Sequence, residues 1–129
     1  MTVLVTGADG FIGKNLIVRL NELDIKVVTY TRNNSTQDIG ELIKGVDFIV
    51  HLAGVNRSVN EKDFDVSNLG LTVSICNALR SLDKKIPIIF SSSIQAKLKN
   101  VYGKSKLDSE VTLKELEIDL GCPIYLYRL

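Results

Sequence analysis

A glycine-rich loop that follows the first apolar run constrains the fold of this chain more than any other feature. The run Val3–Thr6 is short and rich in β-branched residues, and the loop Thr6-Gly7-Ala8-Asp9-Gly10-Phe11-Ile12-Gly13 leads into a helical pattern. A strand that turns sharply into a helix presents backbone N–H groups and the positive helix end to an anion. We therefore expect a dinucleotide pyrophosphate here, with Gly7 making the turn, Gly10 admitting the phosphates and Gly13 packing the helix close to the strand. The alternative is a turn that is only structural, which the position between strand and helix disfavours.

Strand-like and helical patterns alternate along the whole chain. The predicted strands are Val3–Thr6, Lys26–Thr31, Asp47–Ala53, Pro87–Ser91 and Pro123–Arg128. Most are continuous apolar runs, which are typical of parallel strands covered on both faces. The predicted helices are Phe11–Leu23, Gln37–Lys44, Lys62–Leu82 and Tyr102–Leu120, the last ending at Gly121. The alternation predicts an α/β fold with a doubly wound parallel sheet and right-handed crossovers.

Local patterns add detail to three of these helices. The first helix should bury a stripe formed by Ile12, Leu16, Leu20 and Leu23. The loop before the second helix ends in Ser35 and Thr36, whose hydroxyls are candidate N-caps. The third helix is apolar nearly all round, so we expect it to bury more than one face.

Composition limits the class of protein further. The chain has 129 residues, of which 45% are apolar and 24% charged, and its formal net charge is +1. These values fit one globular domain without a nucleic-acid or membrane-surface charge pattern. Cys76 and Cys122 are isolated and lack metal-ligand spacing, so we expect reduced packing cysteines. The N-terminus has no signal-peptide pattern and no apolar run reaches membrane-spanning length, so we expect a cytoplasmic domain that holds no metal.

The end of the second predicted strand bears on which dinucleotide is bound. A carboxylate at this position would bind the ribose 2′-hydroxyl of NAD. The strand instead ends in Thr31-Arg32-Asn33-Asn34, without a carboxylate, and Arg32 could pair with a 2′-phosphate. We expect NADP(H) to be preferred, with NAD(H) as the alternative cofactor if Arg32 is only a solvated loop residue.

Tyr102 and Lys106 stand four residues apart, on one face of the last predicted helix. A carbonyl that accepts hydride needs an acid to protonate the developing alkoxide, and a phenol with a pKa near 10 is a poor acid at neutral pH. A neighbouring ammonium favours the phenolate and lowers that pKa. The pair alone is a weak signal. Upstream, however, the run Ile88–Ser93 ends in three serines at the sheet edge where ligands of open α/β sheets bind.

These motifs, in this order, resemble those of the extended short-chain dehydrogenases/reductases of the NAD-dependent epimerase/dehydratase family. TGADGFIG resembles the family's TGxxGFIG, and FSSS followed by YGKSK resembles (F/V)SS(S/T) followed by YxxxK. The resemblance implies a Rossmann-like fold and a catalytic set of Ser93, Tyr102 and Lys106. In that set Ser93 hydrogen-bonds the reacting oxygen, Tyr102 is the acid/base, and Lys106 also holds the nicotinamide ribose. Ser91 and Ser92 would then cap backbone groups.

Two further segments match the family. DFIVHLAG resembles the DxVxHLAA strand, whose end lines the cofactor, and SNLGLT resembles xNVxGT, whose Asn68 braces the active-site backbone. The expected cofactor-binding residues are Gly7, Gly10, Phe11, Ile12, Gly13, Thr31, Arg32, Leu52, Ala53, Gly54, Tyr102 and Lys106. The substrate candidates are the loop residues Asn56, Arg57 and Gln95. His51, the only histidine, lies mid-strand and is expected to be a core residue without a catalytic role.

More narrowly, HLAGVNR and SSSIQA followed by YGKSKL resemble bacterial capsular and O-antigen reductases of the UDP-N-acetyl-L-fucosamine pathway. That resemblance implies NADPH-dependent reduction of the 4-keto group of a UDP-2-acetamido-dideoxy-hexose. It also implies a cupin epimerase domain after the reductase. The alternatives are an NAD-dependent sugar-nucleotide epimerase or dehydratase, and a non-catalytic NAD(P)-sensing Rossmann protein.

The chain departs from the family pattern in three places. The loop from Ser93 to Tyr102 is short, and the segment before Asp47 leaves little room for a strand that the family usually has there. The chain also stops just after its last predicted strand, which would leave Ile124–Tyr127 as a partly uncovered edge. We therefore expect residues 1–129 to be one NAD(P)-binding domain, a fragment truncated before the substrate-binding part of a longer enzyme and inactive alone. The resemblance implies a homodimer of the longer protein, formed by helices 62–82 and 102–120.

Overall fold

The sheet is formed by five parallel strands, and the computed structural model describes residues 1–54 and 69–129. The strands are β1 (Thr2–Thr6), β2 (Lys26–Tyr30), β3 (Phe48–His51), β4 (Ile88–Ser92) and β5 (Ile124–Arg128). Their order across the sheet is β2-β1-β3-β4-β5, and every neighbouring pair is parallel. All five predicted strands are confirmed within two residues at each end. The doubly wound fold class is confirmed as well.

In the described ranges, α-helices and 3₁₀ turns connect these strands. The α-helices are α1 (Phe11–Glu22), α2 (Ile39–Ile43), α3 (Leu71–Ser81) and α4 (Val101–Leu120), and the 3₁₀ turns are Thr36–Asp38 and Ile94–Lys97. The N-cap prediction is confirmed for Ser35, whose hydroxyl accepts the Gln37 N–H while Asp38 accepts the Ser35 N–H. Residues 62–68 of the third predicted helix lie outside the described residues.

The two faces of the sheet carry separate cores. On one face α2, α3 and α4 cover strand residues such as Leu4, Ile49 and Phe90. On the other face α1 places Leu16 and Leu20 over the β1 strand. The predicted stripe of α1 is correct only at its centre. Ile12 and Leu23 are 50% and 52% exposed, because Ile12 lies at the mouth of a cleft and Leu23 is the helix C-cap.

The helix α3 lies between α2 and α4, as its apolar pattern predicts. Leu71, Ile75, Cys76 and Leu79 are buried, whereas Val73 faces outward and is 37% exposed. Its apolar residues are therefore not all buried. Cys76 is a free buried thiol, and burial raises its pKa to about 12.

Among the described residues, β2 and β5 form the two edges of the sheet, and the segment predicted to leave little room for a further strand lies beside β2. Residues 31–47, which are all described, contain a 3₁₀ turn and α2 but no strand, so β2 forms one edge. At the other edge, Tyr125 and Tyr127 of β5 are 49% and 56% exposed. Arg128 at the end of β5 makes two 3.0 Å hydrogen bonds to the buried carboxylate of Glu110, which fastens this strand to α4.

A buried hydrogen-bond chain joins the carboxyl ends of β1 and β3. The hydroxyl oxygen of Thr6 accepts the N–H groups of Leu52 and Ala53, both at 3.1 Å, and lies 2.7 Å from Nδ1 of His51. Because two donors occupy that oxygen, the Thr6 proton is donated to Nδ1. His51 is then the neutral tautomer with its proton on Nε2, which donates to the Thr72 hydroxyl at 2.9 Å.

Burial, with a smaller contribution from the charge of Lys106, lowers the pKa of His51 to about 3. His51 therefore stays neutral at physiological pH and belongs to the core, as the sequence predicts, although it is the last residue of β3 and does not lie mid-strand. None of the helices in the described ranges is long and apolar enough to cross a membrane.

Candidate active site

The glycine loop, residues 7–13, is fixed by close backbone contacts. Gly7 has φ +68°, and a Cβ on it would lie 2.8 Å from the Ala53 nitrogen. A Cβ on Gly13 would lie 2.2 Å from the Gly7 carbonyl oxygen. The Gly7 N–H donates to the Tyr30 carbonyl at 3.1 Å, which ties the loop to the end of β2. The tight turn and the close helix packing predicted for Gly7 and Gly13 are therefore present.

Two adjoining cavities, of about 500 and 490 Å³, run along the carboxyl edge of the sheet. They share Gly7, Gly10, Leu52 and Gly54, so the glycine loop lies between them. The first cavity extends beside β2 and the second extends towards the end of β4. Every residue predicted to bind the cofactor lines one or both of them: Gly7, Gly10, Phe11, Ile12, Gly13, Thr31, Arg32, Leu52, Ala53, Gly54, Tyr102 and Lys106.

The first cavity is bordered by the loop after β2. The Asn34 side chain accepts the Thr31 N–H at 2.9 Å, which fixes the backbone on either side of the exposed Arg32. The carboxylate of Asp38, in the same segment, accepts the Ser35 backbone N–H at 2.8 Å. Asp9 also lines this cavity. Sequence reasoning missed that carboxylate, because it belongs to the glycine loop and not to the end of β2.

The second cavity brings the three serines together with Tyr102 and Lys106. Ser93 is 7% exposed, and its hydroxyl accepts the Gln95 N–H at 3.1 Å, so its own proton remains available to a ligand. The expectation that Ser91 and Ser92 cap backbone groups is wrong for Ser92, whose hydroxyl has no partner among the described residues. Ser93 instead caps the 3₁₀ turn Ile94–Lys97, because β4 ends at Ser92 and the chain turns at the next residue.

Lys106 is buried against the end of β4. Its ammonium donates to the Ser91 carbonyl at 3.0 Å and lies 5.0 Å from the centre of the Phe90 ring and 5.9 Å from that of Tyr102. Burial lowers the pKa of Lys106 to about 8. The predicted pair thus shares one wall of the cavity, and the lysine is held by a backbone group that does not neutralise it.

The predicted substrate residues are only partly described. Gln95 lines the second cavity. Asn56 and Arg57 lie outside the described residues, as does Asn68. The structure therefore places one of the three substrate candidates at the cleft.

The shape and donors of the cleft fit a nicotinamide dinucleotide. Its centre is the glycine loop at the start of α1, where the N-cap Gly10 provides no side-chain cap, so that the first N–H groups of the helix and the helix dipole favour a pyrophosphate. One flank offers the polar loop around Arg32, and the other offers the hydroxyl, phenol and ammonium of Ser93, Tyr102 and Lys106. Such a cleft can hold a dinucleotide across the sheet edge with its reactive end beside an acid.

The chain belongs to the NAD dependent epimerase/dehydratase family, whose family model matches residues 3–118. Among curated proteins it is similar to the UDP-2-acetamido-2,6-beta-L-arabino-hexul-4-ose reductase of Pseudomonas aeruginosa. The two are 49% identical over 130 residues, which cover 100% of this chain and 35% of the relative. The family resemblance of the sequence motifs is thereby confirmed.

Solved structures agree with this assignment. The capsular polysaccharide assembling protein CapF from Staphylococcus aureus matches with TM-score 0.83 and 39% identity, over 99% of this chain and 35% of CapF. The UDP-glucuronic acid 4-epimerase from Bacillus cereus, solved with NAD, matches with TM-score 0.86 and 19% identity, over 99% of this chain and 56% of the epimerase. The second match supports the fold alone. The chain spans about a third of the length of the Pseudomonas and Staphylococcus relatives.

The burial of Lys106 predicts a pH dependence of stability. Its pKa falls from 10.5 to about 8 on folding, so between these values the unfolded chain binds more protons than the folded one. The free energy of unfolding should therefore gain a component that rises with pH across this window. Urea denaturation at pH values of about 7, 9 and 11 should show the wild type gaining stability relative to Lys106→Met. The exposed Lys14→Met is the matched control, and a constant difference between wild type and Lys106→Met would contradict the prediction.

Proposed function

We propose that this chain is the nucleotide-binding and catalytic part of an NADPH-dependent reductase. Its substrate is a UDP-2-acetamido-dideoxy-hexose used for capsule or O-antigen sugars, and the reaction reduces the 4-keto group of that sugar. The observation that carries this proposal is that Ser93, Tyr102 and Lys106 line one cavity, which adjoins the glycine loop. The 49% identity to a relative named as a UDP-4-keto-hexose reductase supports the substrate class. The likeness to a capsular polysaccharide assembling protein supports the biosynthetic setting.

The residues of the chain hold the carbonyl oxygen in place and supply the proton that it takes up. When bound, the nicotinamide nucleotide supplies the hydride that reaches the carbonyl carbon. The Ser93 hydroxyl donates to the carbonyl oxygen and holds it beside Tyr102, whose phenol transfers its proton to that oxygen as the C–H bond forms. Lys106 stabilises the resulting phenolate, and its N–H groups not used by the Ser91 carbonyl can donate to ribose hydroxyls.

Two other functions use parts of the same site. A sugar-nucleotide epimerase or dehydratase would use the same three residues and return the hydride to the substrate. The epimerases among the structural matches are only 19–21% identical, so the reductase is favoured by the stronger likeness. A non-catalytic nucleotide sensor would not need an acid and a buried ammonium in one cavity. We propose Gln95, Asn56 and Arg57 as substrate contacts.

Tyr102→Phe tests the chemistry in the whole protein. The variant removes the acid and keeps the ring, so kcat should fall about 10²–10⁴-fold while the affinity for NADPH is retained. Turnover is followed by NADPH oxidation at about 340 nm with a UDP-2-acetamido-dideoxy-4-keto-hexose, and affinity by calorimetry. The exposed Tyr125→Phe is the matched control. Near-normal kcat in Tyr102→Phe would contradict the mechanism.

Arg32→Ala tests the preference for NADPH. Loss of a charge-assisted contact to the 2′-phosphate should weaken NADPH binding by about tenfold and leave NADH binding unchanged. Asp9→Asn should strengthen NADPH binding, because it removes a negative charge that lines the same cavity. Calorimetric titration of both nucleotides gives the ratios, with Arg19→Ala on the surface of α1 as the control. An NADPH/NADH ratio that Arg32→Ala does not change would refute the assignment.

We also propose a homodimer of the whole protein, formed through α3 and α4. Leu107, Val111 and Ile118 form an apolar stripe on the outer face of α4 and are 40%, 49% and 83% exposed. Val73 on the adjoining helix α3 is 37% exposed. A two-fold axis beside α4 would bury these residues against their own copies.

Val111→Glu tests this interface by placing like charges across the two-fold axis. Light scattering should show a dimer for the wild type and a monomer for the variant. Val18→Glu, at an exposed valine on α1, should remain dimeric. A wild-type protein that stays monomeric at high concentration would exclude the interface.

A further inference from the structure

The first turn of α4 packs directly on the 3₁₀ turn Ile94–Lys97, and Gly103 lies at the contact. A Cβ on Gly103 would lie 2.0 Å from the carbonyl oxygen of Gln95, 2.9 Å from its carbonyl carbon and 3.0 Å from the carbonyl oxygen of Leu98. All three atoms belong to the backbone, so no side-chain rotation can relieve the overlap. Any side chain at residue 103 must therefore move the helix and the turn apart.

The turn is rigidly connected to Ser93. The Ser93 hydroxyl accepts the Gln95 N–H at 3.1 Å, and the Ser93 carbonyl accepts the Ala96 N–H at 3.0 Å. The Gln95 carbonyl, which contacts Gly103, also accepts the Leu98 N–H at 2.8 Å. A shift of the Gln95 carbonyl is thus passed to the Ser93 hydroxyl through short hydrogen bonds.

The helix side of the contact is equally fixed. Asn100 caps α4, and its side-chain oxygen accepts the Gly103 N–H at 2.6 Å. Tyr102 is the neighbour of Gly103 on the same turn, and Lys106 follows one turn later. A movement of the first turn therefore displaces Tyr102 relative to Ser93, while the spacing of Tyr102 and Lys106 along the helix is kept.

We propose that Gly103 is a positioning residue that sets the separation between the Ser93 and Tyr102 hydroxyls. This inference rests on the proposed function, in which both hydroxyls contact the reacting oxygen. A Cβ at 2.0 Å must retreat by about 1 Å or more before contact becomes tolerable. A misplacement of that size can lower a rate by about 10²-fold. The three nearest atoms that a Cβ on Gly103 would meet belong to Gln95 and Leu98, and none belongs to the glycine loop.

The test is a double-mutant cycle of Gly103→Ala and Ser93→Ala in the whole protein. Gly103→Ala should lower kcat by about 10²-fold with the Kd for NADPH within about threefold of wild type. In the Ser93→Ala background, the added Gly103→Ala should lower kcat by less than about threefold, because the spacing no longer matters. Gly40→Ala in α2 is the matched control, since a Cβ there meets nothing within 4 Å. Equal losses in both backgrounds would overturn the proposal, because a general structural defect is additive.

A second pair of variants covers the case in which Gly103→Ala does not fold. Asn100→Ala removes the side chain that holds the Gly103 N–H, and Asn100→Ser restores a capping oxygen. The same cycle with Ser93→Ala should show non-additive loss of kcat for Asn100→Ala and recovery for Asn100→Ser. Additive loss, or no recovery with serine, would overturn the proposal. If Tyr102→Phe retains the wild-type kcat, the proposed function fails, and this inference fails with it. If Tyr102→Phe loses kcat but Gly103→Ala and Asn100→Ala retain the wild-type value, only this inference fails.

Discussion

The side-chain hydroxyl of Thr6 holds together the carboxyl ends of β1 and β3, where the two walls of the cleft meet. It accepts two backbone N–H groups from residues 52 and 53 and donates to His51, so all its hydrogen-bonding capacity is used. The Leu52 N–H also donates to the Thr6 backbone carbonyl at 3.3 Å. Loss of the hydroxyl would therefore cost mainly the acceptor of the part-buried Ala53 N–H, a bond that contributes about 1 kcal/mol. The same hydrogen bonds of Thr6 hold the backbone of residues 52 and 53 close to Gly7, so the shape of the glycine loop depends on them.

The junction also sets the electrostatics beneath the proposed catalytic residues. His51 and Lys106 lie against the same Phe90 ring, with the histidine ring centre 5.1 Å and the ammonium 5.0 Å from it. A protonated imidazole there would place a second positive charge near the ammonium in a medium of low dielectric constant. By donating to Nδ1, Thr6 favours the neutral imidazole, and burial keeps it neutral. The ammonium can then act on Tyr102 without a competing buried charge on His51.

The sequence predicts those parts of the site whose chemistry depends on local spacing. The glycine loop and the Tyr102–Lys106 pair depend on a turn and on helical periodicity, and the family resemblance of the ordered motifs added Ser93 to them. The parts that were missed depend on contacts between segments. Asp9 lines the first cavity only because the loop curls towards β2, and Ser93 caps the turn only because β4 ends one residue earlier. Gly103 looks like an ordinary helix glycine until its distance from the Gln95 carbonyl is known.

The two buried thiols of this chain have a consequence for its chemical reactivity. Cys76 and Cys122 have no solvent-accessible surface, and burial raises the pKa of both. Because the thiolate is the form that attacks alkylating and oxidising reagents, both sulfurs are unreactive while the core is closed. Their modification therefore requires opening of the core between α3 and the segment that joins α4 to β5. The rate at which thiol reagents label the native chain thus measures how often this part of the core opens. A cysteine introduced on the surface would be labelled selectively, while the two native thiols stay unmodified.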